Sequence, residues 1–305
     1  METAGSAPIN VVAILNGSKK IRKSIREAVL YFQNNSAYHL EIERSQYPLH
    51  ASELAGQAQL NNAQILLVAG GDGTFHEIIN GFDYSLPAPR LILIAAGTGN
   101  DFLLGLNQQF SLPKLKNCLE NGAWETHDLI QLQTNQKTYY GLNIADIGFG
   151  GYVIHLLNKQ RSMRISGKFS YALAILRAFV RFKIPTLQVT WNDTSVEGKF
   201  LLIAICNGST FGNGLKVNPE ATSQDGKLNL SCIGNVSVID YLKQLPKLKT
   251  GRIIEHPEVN YTTCTKGNIE VIAGNAYLEV DGEVLEIGKS VNFEIKSACI
   301  EIAKI

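Results

Sequence analysis

The first part of the chain alternates short apolar runs with amphipathic stretches. Three apolar runs, at 10–15, 64–69 and 90–95, each stop at a turn or a glycine-rich segment. Between the first two runs, apolar residues from Ile21 to Phe32 recur at the spacing of one helical face. Aliphatic strands separated by helices are typical of a parallel sheet that is covered on both faces. The pattern therefore predicts an α/β N-terminal domain over residues 1–130.

From about residue 131 the pattern changes to short β-rich segments separated by turn signals. These segments lie at 138–145, 186–191, 199–206, 227–233, 268–272, 276–280 and 291–295. They predict an antiparallel sandwich or partly open barrel over 131–291, interrupted by helices near 168–183 and 237–249. We expect the last strand, 292–305, to return to the first domain.

Composition narrows the class of protein. The chain has 305 residues, 45% hydrophobic and 18% charged, which predicts a folded protein. Its net charge of +1 argues against a nucleic-acid partner. Five cysteines without a CxxC pair argue against a disulfide framework and a zinc site. With no basic segment before an apolar run and no apolar stretch of membrane-spanning length, we expect a cytoplasmic protein.

The segment 70–77, Gly-Gly-Asp-Gly-Thr-Phe-His-Glu, carries the strongest chemical signal. It joins a buried strand to the start of a helix. Glycines let backbone N–H groups converge on a phosphate, and a helix N-terminus adds partial positive charge. In that setting Asp72 is suited to hold Mg²⁺ against phosphoryl oxygens. The alternative is an ordinary strand–helix turn in which Asp72 caps the helix.

A second loop, 95–102, repeats this arrangement after the next strand. Thr98 offers a hydroxyl between two glycines, and Asp101 is placed to cap the following helix or to join a hydrated metal network. Loops at adjacent strand ends of a parallel sheet face the same crevice. Neither loop matches GxxxxGK[ST] or GxGxxG, so neither a P-loop nor a dinucleotide fingerprint is indicated.

The strings GGDGTxxExxNG at 70–81 and GTGNDF at 97–102 resemble the diacylglycerol kinase catalytic family, and in particular its soluble bacterial lipid kinases. Asn213-Gly214, Asp225–Leu228 and Asp281–Glu283 match further family motifs in order. The resemblance runs from about residue 10 to the C-terminus. It implies a fold of the NAD kinase and diacylglycerol kinase type.

The resemblance also implies an ATP site between the domains. Asn16, in a first loop that lacks the family's proline and is shortened, would contact phosphate, and Ser45 stands where relatives have a nucleotide-contacting threonine. The remaining positions implied to contact the nucleotide come from the two glycine loops: Gly70, Gly71, Asp72, Gly73, Thr74, Thr98 and Asp101.

Metal and catalytic residues follow from the same resemblance. The segment 222–227 is similar to the family's magnesium loop, which implies Mg²⁺ held by the Asp225 side chain and the carbonyls of Thr222 and Lys227. Without the resemblance, a plain type I turn is the better account of this segment. Glu283 would accept the proton of a lipid hydroxyl and Asp72 would assist catalysis, although a bare Asp-Gly-Glu is usually only a hairpin turn.

One segment, 158–184, is strongly basic and aromatic and contains no acidic residue. An anionic membrane surface attracts such a segment. The alternative is an ordinary helix packed on the sandwich with its basic face in water. The 7 basic residues are Lys159, Arg161, Arg164, Lys168, Arg177, Arg181 and Lys183.

Together these features predict an ATP- and Mg²⁺-dependent lipid kinase, with diacylglycerol as the expected acceptor and phosphatidic acid as the product. A sphingoid base, another glycerolipid or a soluble alcohol is the alternative acceptor. A nucleotide- or lipid-binding regulator without turnover is the alternative class. The resemblance allows a homodimer, and the basic segment allows a peripheral place on the inner membrane face.

Overall fold

A computed structural model of the chain describes residues 7–135, 137–162 and 168–305; of residues 161, 162 and 168–170 only the backbone is described. The chain divides into two compact units. One holds Met1–His127 with Ala298–Ile305, and the other holds Asp128–Ser297.

The first unit contains a parallel sheet in the order β2-β1-β3-β4, and Ile302 near the end of the last strand pairs in parallel with Leu91. Its elements are β1 (Ile9–Asn16), α1 (Lys23–Gln33), β2 (Tyr38–Ser45), α2 (His50–Leu60), β3 (Ile65–Gly70), α3 (Asp72–Asn80), β4 (Arg90–Ala95), α4 (Asp101–Gly105) and α5 (Leu112–Asn121).

The two inner strands of this sheet are buried on both faces, as their continuous aliphatic sequence predicts. All of Val11–Leu15 and all of β3 are buried. Phe32 of α1 and Leu115 of α5 belong to the core on one face. Helices α2 and α3, which contact each other and the strands, cover the other face. The predicted α/β domain with helices on both faces is confirmed.

The second unit is an antiparallel sandwich that carries three helices in its described part. Its elements are β5 (Trp124–Gln133), β6 (Thr138–Gly141), β7 (Ile144–Gly148), α6 (Phe149–Ser162), α7 (Lys168–Arg181), β8 (Thr186–Trp191), β9 (Thr194–Lys199), β10 (Leu202–Cys206), β11 (Thr210–Phe211), β12 (Leu215–Lys216), β13 (Leu228–Ile233), α8 (Val238–Thr250), β14 (Val259–Cys264), β15 (Lys266–Ala273), β16 (Leu278–Val280), β17 (Glu283–Leu285) and β18 (Ser290–Ala303).

Two sheets form the sandwich. One has the order β14-β13-β10-β7-β16-β17, and the other runs through β6-β5-β18-β15-β8-β9. Ile203 and Leu230 from the first sheet share one buried core with Val189 and Phe293 from the second. Alternation places one face of each strand in this core. The predicted β-rich antiparallel sandwich is confirmed.

The structure corrects two predictions for this unit. The single strand expected at 138–145 is two strands, because the N–H groups of residues 142–144 bond to the Asp281 carboxylate and leave the ladder. The sequence analysis also missed α6, whose second and third residues are Gly150 and Gly151. Glycine is a weak helix former, so the start of this helix carries little local signal.

Candidate active site

The two glycine loops of the first unit are in direct backbone contact. β3 ends at Gly70, and Gly71 is the N-cap of α3. A Cβ on Gly71 would lie 2.8 Å from the Gly97 Cα, and one on Gly97 would lie 2.6 Å from the Gly71 Cα. The Ala96 N–H donates to the Gly70 carbonyl at 2.6 Å. Only glycine permits this approach, so the two loops form one surface.

Asp72 points from the first loop to the second. Its Oδ1 accepts the Phe102 N–H at 3.4 Å, at the start of α4. A Cβ on Gly99 would lie 3.1 Å from Asp72 Oδ2 and 3.5 Å from Asp101 Oδ2. Two carboxylates therefore approach the same point above Gly99. Because Gly71 is the N-cap of α3, the alternative role of Asp72 as the helix cap does not describe this loop.

Thr74, Asn16 and Ser45 meet at the carboxyl ends of β1 and β2. The buried Thr74 hydroxyl accepts Asn16 Nδ2–H at 3.0 Å. Asn16 pairs with Ser45 in the parallel ladder, and the Gly17 N–H donates to the Ser45 carbonyl at 3.1 Å. The shortened first loop is thus attached to the first turn of α3.

The other predicted nucleotide residues lie on the same loops. Gly73 is half-buried in the first turn of α3, and Thr98 is exposed between the two glycines of the second loop. Sequence reasoning missed Asn100, which holds this second loop in shape: its Oδ1 accepts the Gly97 N–H at 3.0 Å and its Nδ2 donates to the Gly97 carbonyl at 3.2 Å.

Arg22 is a second residue that sequence reasoning missed. Its guanidinium donates to the carbonyls of Ala95 at 3.3 Å and Gly97 at 3.4 Å, which brings a positive charge to the second glycine loop. A signal was present, since four of the five residues 19–23 that follow the first loop are basic. Arginine is well suited to phosphate because its guanidinium is permanently charged and offers several donors.

In the second unit, Asp225 lies on an exposed loop that a buried aspartate holds in place. Asp225 Oδ1 accepts the Lys227 N–H at 3.1 Å. Asp128, 3% exposed, accepts the Gly226 N–H at 2.8 Å through Oδ2 and donates its own N–H to the Ser223 carbonyl at 2.7 Å. Thr222 and Lys227 are exposed at the two ends of this loop.

Glu283 follows a tight turn between β16 and β17. Val280 pairs with Glu283, while Asp281 at φ 50° and Gly282 at φ 95° form the two-residue connection. Positive φ at both positions is the geometry that favours Asp-Gly in hairpins. The Asp281 carboxylate accepts the N–H groups of Leu142 at 2.7 Å and of the next two residues at 2.9 and 3.2 Å. Glu283 itself is exposed.

Asn207 links the Asp225 loop to the Glu283 turn. This fully buried side chain donates through Nδ2 to the carbonyls of Asp128 at 2.8 Å and Leu142 at 2.7 Å. Asp128 holds the Asp225 loop, and Leu142 is held by the turn. Sequence reasoning missed Asp128 and Asn207; the signal was a polar residue within or directly after an apolar strand.

Across the described ranges, no group of three His, Cys, Asp or Glu side chains is placed to hold a metal ion. A metal site on these loops would therefore combine one or two carboxylates with backbone carbonyls and water. Such all-oxygen sets suit Mg²⁺, which keeps several of its waters. The donors present fit that ion.

The basic segment is described in part. Arg164 lies outside the described residues, and only the backbone of Arg161 and Lys168 is described. In the described part of α7, Arg177 and Arg181 accompany three apolar residues that remain exposed: Leu173 at 38%, Leu176 at 50% and Val180 at 84%. In the part of the chain that the structure describes, no helix has the length and apolar character needed to cross a bilayer.

Comparisons with known proteins agree with this architecture. Residues 10–132 match the diacylglycerol kinase catalytic domain, and residues 144–304 match the YegS C-terminal NAD kinase beta sandwich-like domain. The chain is 26% identical over 231 residues to a probable lipid kinase YegS-like of Xanthomonas campestris, covering 74% of each chain. It is 23% identical to a diacylglycerol kinase of Bacillus subtilis, covering 88% of this chain and 86% of that one.

Solved structures show the same fold. A putative diacylglycerol kinase from Bacillus anthracis aligns with a TM-score of 0.76 at 18% identity and 99% coverage of both chains. Yeast NADH kinase aligns with a TM-score of 0.54 at 11% identity, covering 97% of this chain and 83% of that one. The architecture is thus that of the diacylglycerol kinase and NAD kinase folds. Since the two family models match nearly the whole chain, it belongs to the diacylglycerol kinase family and carries the YegS-type C-terminal domain.

Proposed function

We propose that the protein is an ATP- and Mg²⁺-dependent kinase that phosphorylates a lipid hydroxyl, with diacylglycerol as acceptor and phosphatidic acid as product. The observation that carries this proposal is the contact between the two glycine loops at Gly71 and Gly97. This contact brings the N-terminus of α3 and the carboxylates of Asp72 and Asp101 together within the first unit. Converging N–H groups and a helix N-terminus bind phosphate.

The nucleotide would be bound by the first unit. Gly70–Thr74 and Thr98 would face the phosphates, with Asn16 and Ser45 at the neighbouring strand ends. Arg22 would add positive charge through the second loop. These roles rest on the resemblance of the motifs together with the loop contacts described above.

Mg²⁺ would be held by oxygen donors. Asp72 and Asp101 approach one point above Gly99, and Asp225 with the carbonyls of Thr222 and Lys227 offers a second oxygen set. Held by these residues, a divalent cation would supply positive charge to offset the carboxylates and the phosphoryl oxygens. The buried Asp128 holds the Asp225 loop through the Gly226 N–H and the Ser223 carbonyl.

Glu283 would act as the proton acceptor. The lipid hydroxyl oxygen forms a bond to the γ-phosphorus, while the bond from that phosphorus to the β–γ bridging oxygen breaks and ADP leaves. The hydroxyl proton passes to the Glu283 carboxylate. Attachment of Asp281 to the N–H groups of Leu142 and Asn143, directly before β7, would fix the turn from which Glu283 acts.

A lipid acceptor is supported by an apolar cavity of about 110 Å³ in the second unit. Its walls come from α6, α7, α8 and the sandwich, and they include Phe149, Ile175, Phe179, Tyr241 and Leu248. Acyl chains are favoured by such a lining because burial removes apolar surface from water. A small polar alcohol would find few partners there.

Membrane contact is proposed for the outer face of α7. Leu173, Leu176 and Val180 follow the i, i+3, i+7 spacing of one helical face, and Arg177 and Arg181 lie beside them. Exposed apolar side chains among cations bind anionic interfaces. This surface would bring the protein to its insoluble acceptor.

The test is phosphoryl transfer from γ-labelled ATP into a total lipid extract, with the product identified by mass. Labelled phosphatidic acid is expected, and Glu283→Gln should lower kcat by about 10²-fold or more while the exposed Glu286→Gln leaves it unchanged. A different labelled lipid would replace diacylglycerol as the acceptor. ATP binding without transfer to any lipid or alcohol would contradict the proposal and favour a regulator.

A further inference from the structure

Two carboxyl groups lie side by side inside the sandwich, next to the Glu283 turn. Asp146 of β7 and Glu279 of β16 are direct partners in the antiparallel ladder. They are 0% and 6% exposed, and their carboxyl groups hydrogen-bond each other. Acidic residues are almost never buried without a partner, so this pair requires an explanation.

The surroundings of the pair favour a proton between the two groups. Asp146 Oδ1 accepts the Gly151 N–H at 3.0 Å, but no N–H or hydroxyl of a described residue donates to the buried Oδ2. Two carboxyl oxygens hydrogen-bond only when one of them carries a proton. Burial and the neighbouring Asp146 charge raise the pKa of Glu279 well above its ordinary 4.5, and burial also raises the pKa of Asp146. The pair therefore holds a proton more tightly than an isolated carboxyl group does.

The pair is connected to the turn that carries Glu283. Glu279 Oε1 accepts the N–H of Gly282, the residue directly before Glu283. On the other side of the turn, Asp281 is bound to the backbone of β7. The turn is thus held from two sides, and one of them depends on Glu279.

We propose that Asp146 and Glu279 share one proton and act as positioning residues for Glu283, by holding the Gly282 N–H on Glu279. This inference rests on the proposed function, because it takes Glu283 as the proton acceptor. Loss of the shared proton would leave two charges in the interior and displace the turn. A displacement of about 1 Å at a reacting group can cost about 10²-fold in rate.

Other titratable groups face the pair from the elements packed against it. The Asp281 carboxylate contributes to the raised pKa of Glu279. The Cys206 thiol of β10 lies near Asp146, and burial together with the Asp146 charge raises its pKa. Helix α6 contributes the Gly151 N–H. The Asp281 charge disfavours further negative charge on the pair and so favours retention of the shared proton.

The test compares kcat, KM for ATP and the pH profile of the full-length wild type with those of Glu279→Leu, Glu279→Gln and the exposed control Glu286→Gln. Glu279→Leu should lower kcat about 10²-fold with little change in KM for ATP. Glu279→Gln keeps an acceptor for Gly282 and a donor for Asp146, so its kcat near pH 7 should stay within about threefold of wild type. The wild-type rate should fall at alkaline pH, and Glu279→Gln should lack this fall.

Unchanged kcat in a folded Glu279→Leu, or equal damage in the leucine and glutamine variants, would overturn the inference. If the leucine variant does not fold, an alkaline fall in Glu279→Gln identical to that of wild type would overturn it. A wild type without transfer to any acceptor would refute the proposed function instead. The infrared band of a buried protonated carboxyl near pH 7, present in wild type and absent in Glu279→Gln, tests the shared proton independently of turnover.

Discussion

At the scale of single residues, Asp72 and Asp101 direct two carboxylates to one point above Gly99. Like charges at such a distance repel each other, and a divalent cation between them removes the repulsion. In the proposed function, Mg²⁺ binding would account for two acidic residues on loops that otherwise suit anions.

Asp72→Asn should lower kcat by about 10² to 10³-fold, because it removes a negative charge that would hold Mg²⁺ against the phosphoryl oxygens. The amide keeps the size of the side chain, so thermal unfolding should change little. Initial rates at saturating ATP measure the effect. The matched control is Asp193→Asn in the exposed turn after β8. Equal rates in Asp72→Asn and Asp193→Asn would show that the reaction does not require the Asp72 carboxylate.

The raised pKa of Glu279 also predicts how the stability of the folded protein depends on pH. Its pKa is raised in the folded state above the ordinary 4.5, so the folded protein binds more protons than the unfolded chain. The free energy of unfolding should therefore be greatest below that value. It should fall, by up to about 1.4 kcal/mol per pH unit, as pH rises toward the raised pKa. Asp146, whose pKa is also raised, acts in the same direction.

Urea unfolding of the wild type and Glu279→Gln at a series of pH values checks this dependence. Glu279→Gln should show a smaller loss of stability with rising pH, since the amide does not titrate. Glu286→Gln should follow the wild type. The same slope in all three proteins would show that the buried pair is not the source.

Sequence reasoning at this scale named the residues of the glycine loops but missed those that support them. The loops carry a local signal in their glycines. Asp128 and Asn207 support the Asp225 loop through contacts with residues distant in the chain. A single polar residue beside an apolar strand does not reveal which distant backbone it will bind. The roles assigned to Asp72, Asp225 and Glu283 stay predictions.

At the scale of elements, the contact between the two glycine loops determines the shape of the proposed phosphate site. A Cβ at Gly97 would lie 2.6 Å from the Gly71 Cα and 2.8 Å from Asn100 Oδ1. Neither loop can move away freely, because Ala96 bonds to the Gly70 carbonyl. A methyl group here must therefore separate the two loops.

Gly97→Ala should weaken MgATP binding at least about 10-fold and lower the free energy of unfolding by about 1 to 3 kcal/mol. Gly198→Ala is the control: on exposed strand β9 its Cβ would lie 3.6 Å from the Phe200 ring, an ordinary contact. Calorimetric titration with MgATP measures the affinity. An unchanged affinity of Gly97→Ala for MgATP would show that nucleotide binding does not depend on the contact between the two loops.

Elements with a continuous local pattern were predicted, and those defined by distant contacts were not. The apolar runs identified β1, β3 and β4 to within about a residue. The break between β6 and β7 depends on Asp281, more than 130 residues away. Helix α6 begins with weak helix formers and is stabilised by packing of Val153 and Leu157 in the core that α7 shares.

At the scale of the whole molecule, the outer face of α7 predicts membrane binding. Leu176→Ser with Val180→Ser should reduce co-sedimentation with anionic vesicles by about 5-fold or more, because apolar surface no longer enters the interface. Binding by the wild type should also decrease with salt. Val196→Ser, at a similarly exposed apolar residue of β9, is the control. If co-sedimentation with the vesicles changes neither with salt nor with the double substitution, this face of α7 does not bind the membrane.

The overall architecture was predictable because two different hydrophobic periods divide the chain, and the family motifs follow in order along both parts. The acceptor was not predictable from the sequence, because the lining of the apolar cavity comes from three helices and several strands that are separated in sequence. A linear pattern does not encode the shape of such a cavity. The identity of the lipid therefore has to be measured.

The most direct test of the central claim is calorimetric titration of the purified protein with ATP, with and without Mg²⁺. The paired glycine loops and their carboxylates predict saturable binding that requires the divalent ion and weakens in Gly97→Ala. No saturable, metal-dependent affinity for ATP or any other purine triphosphate would contradict the account.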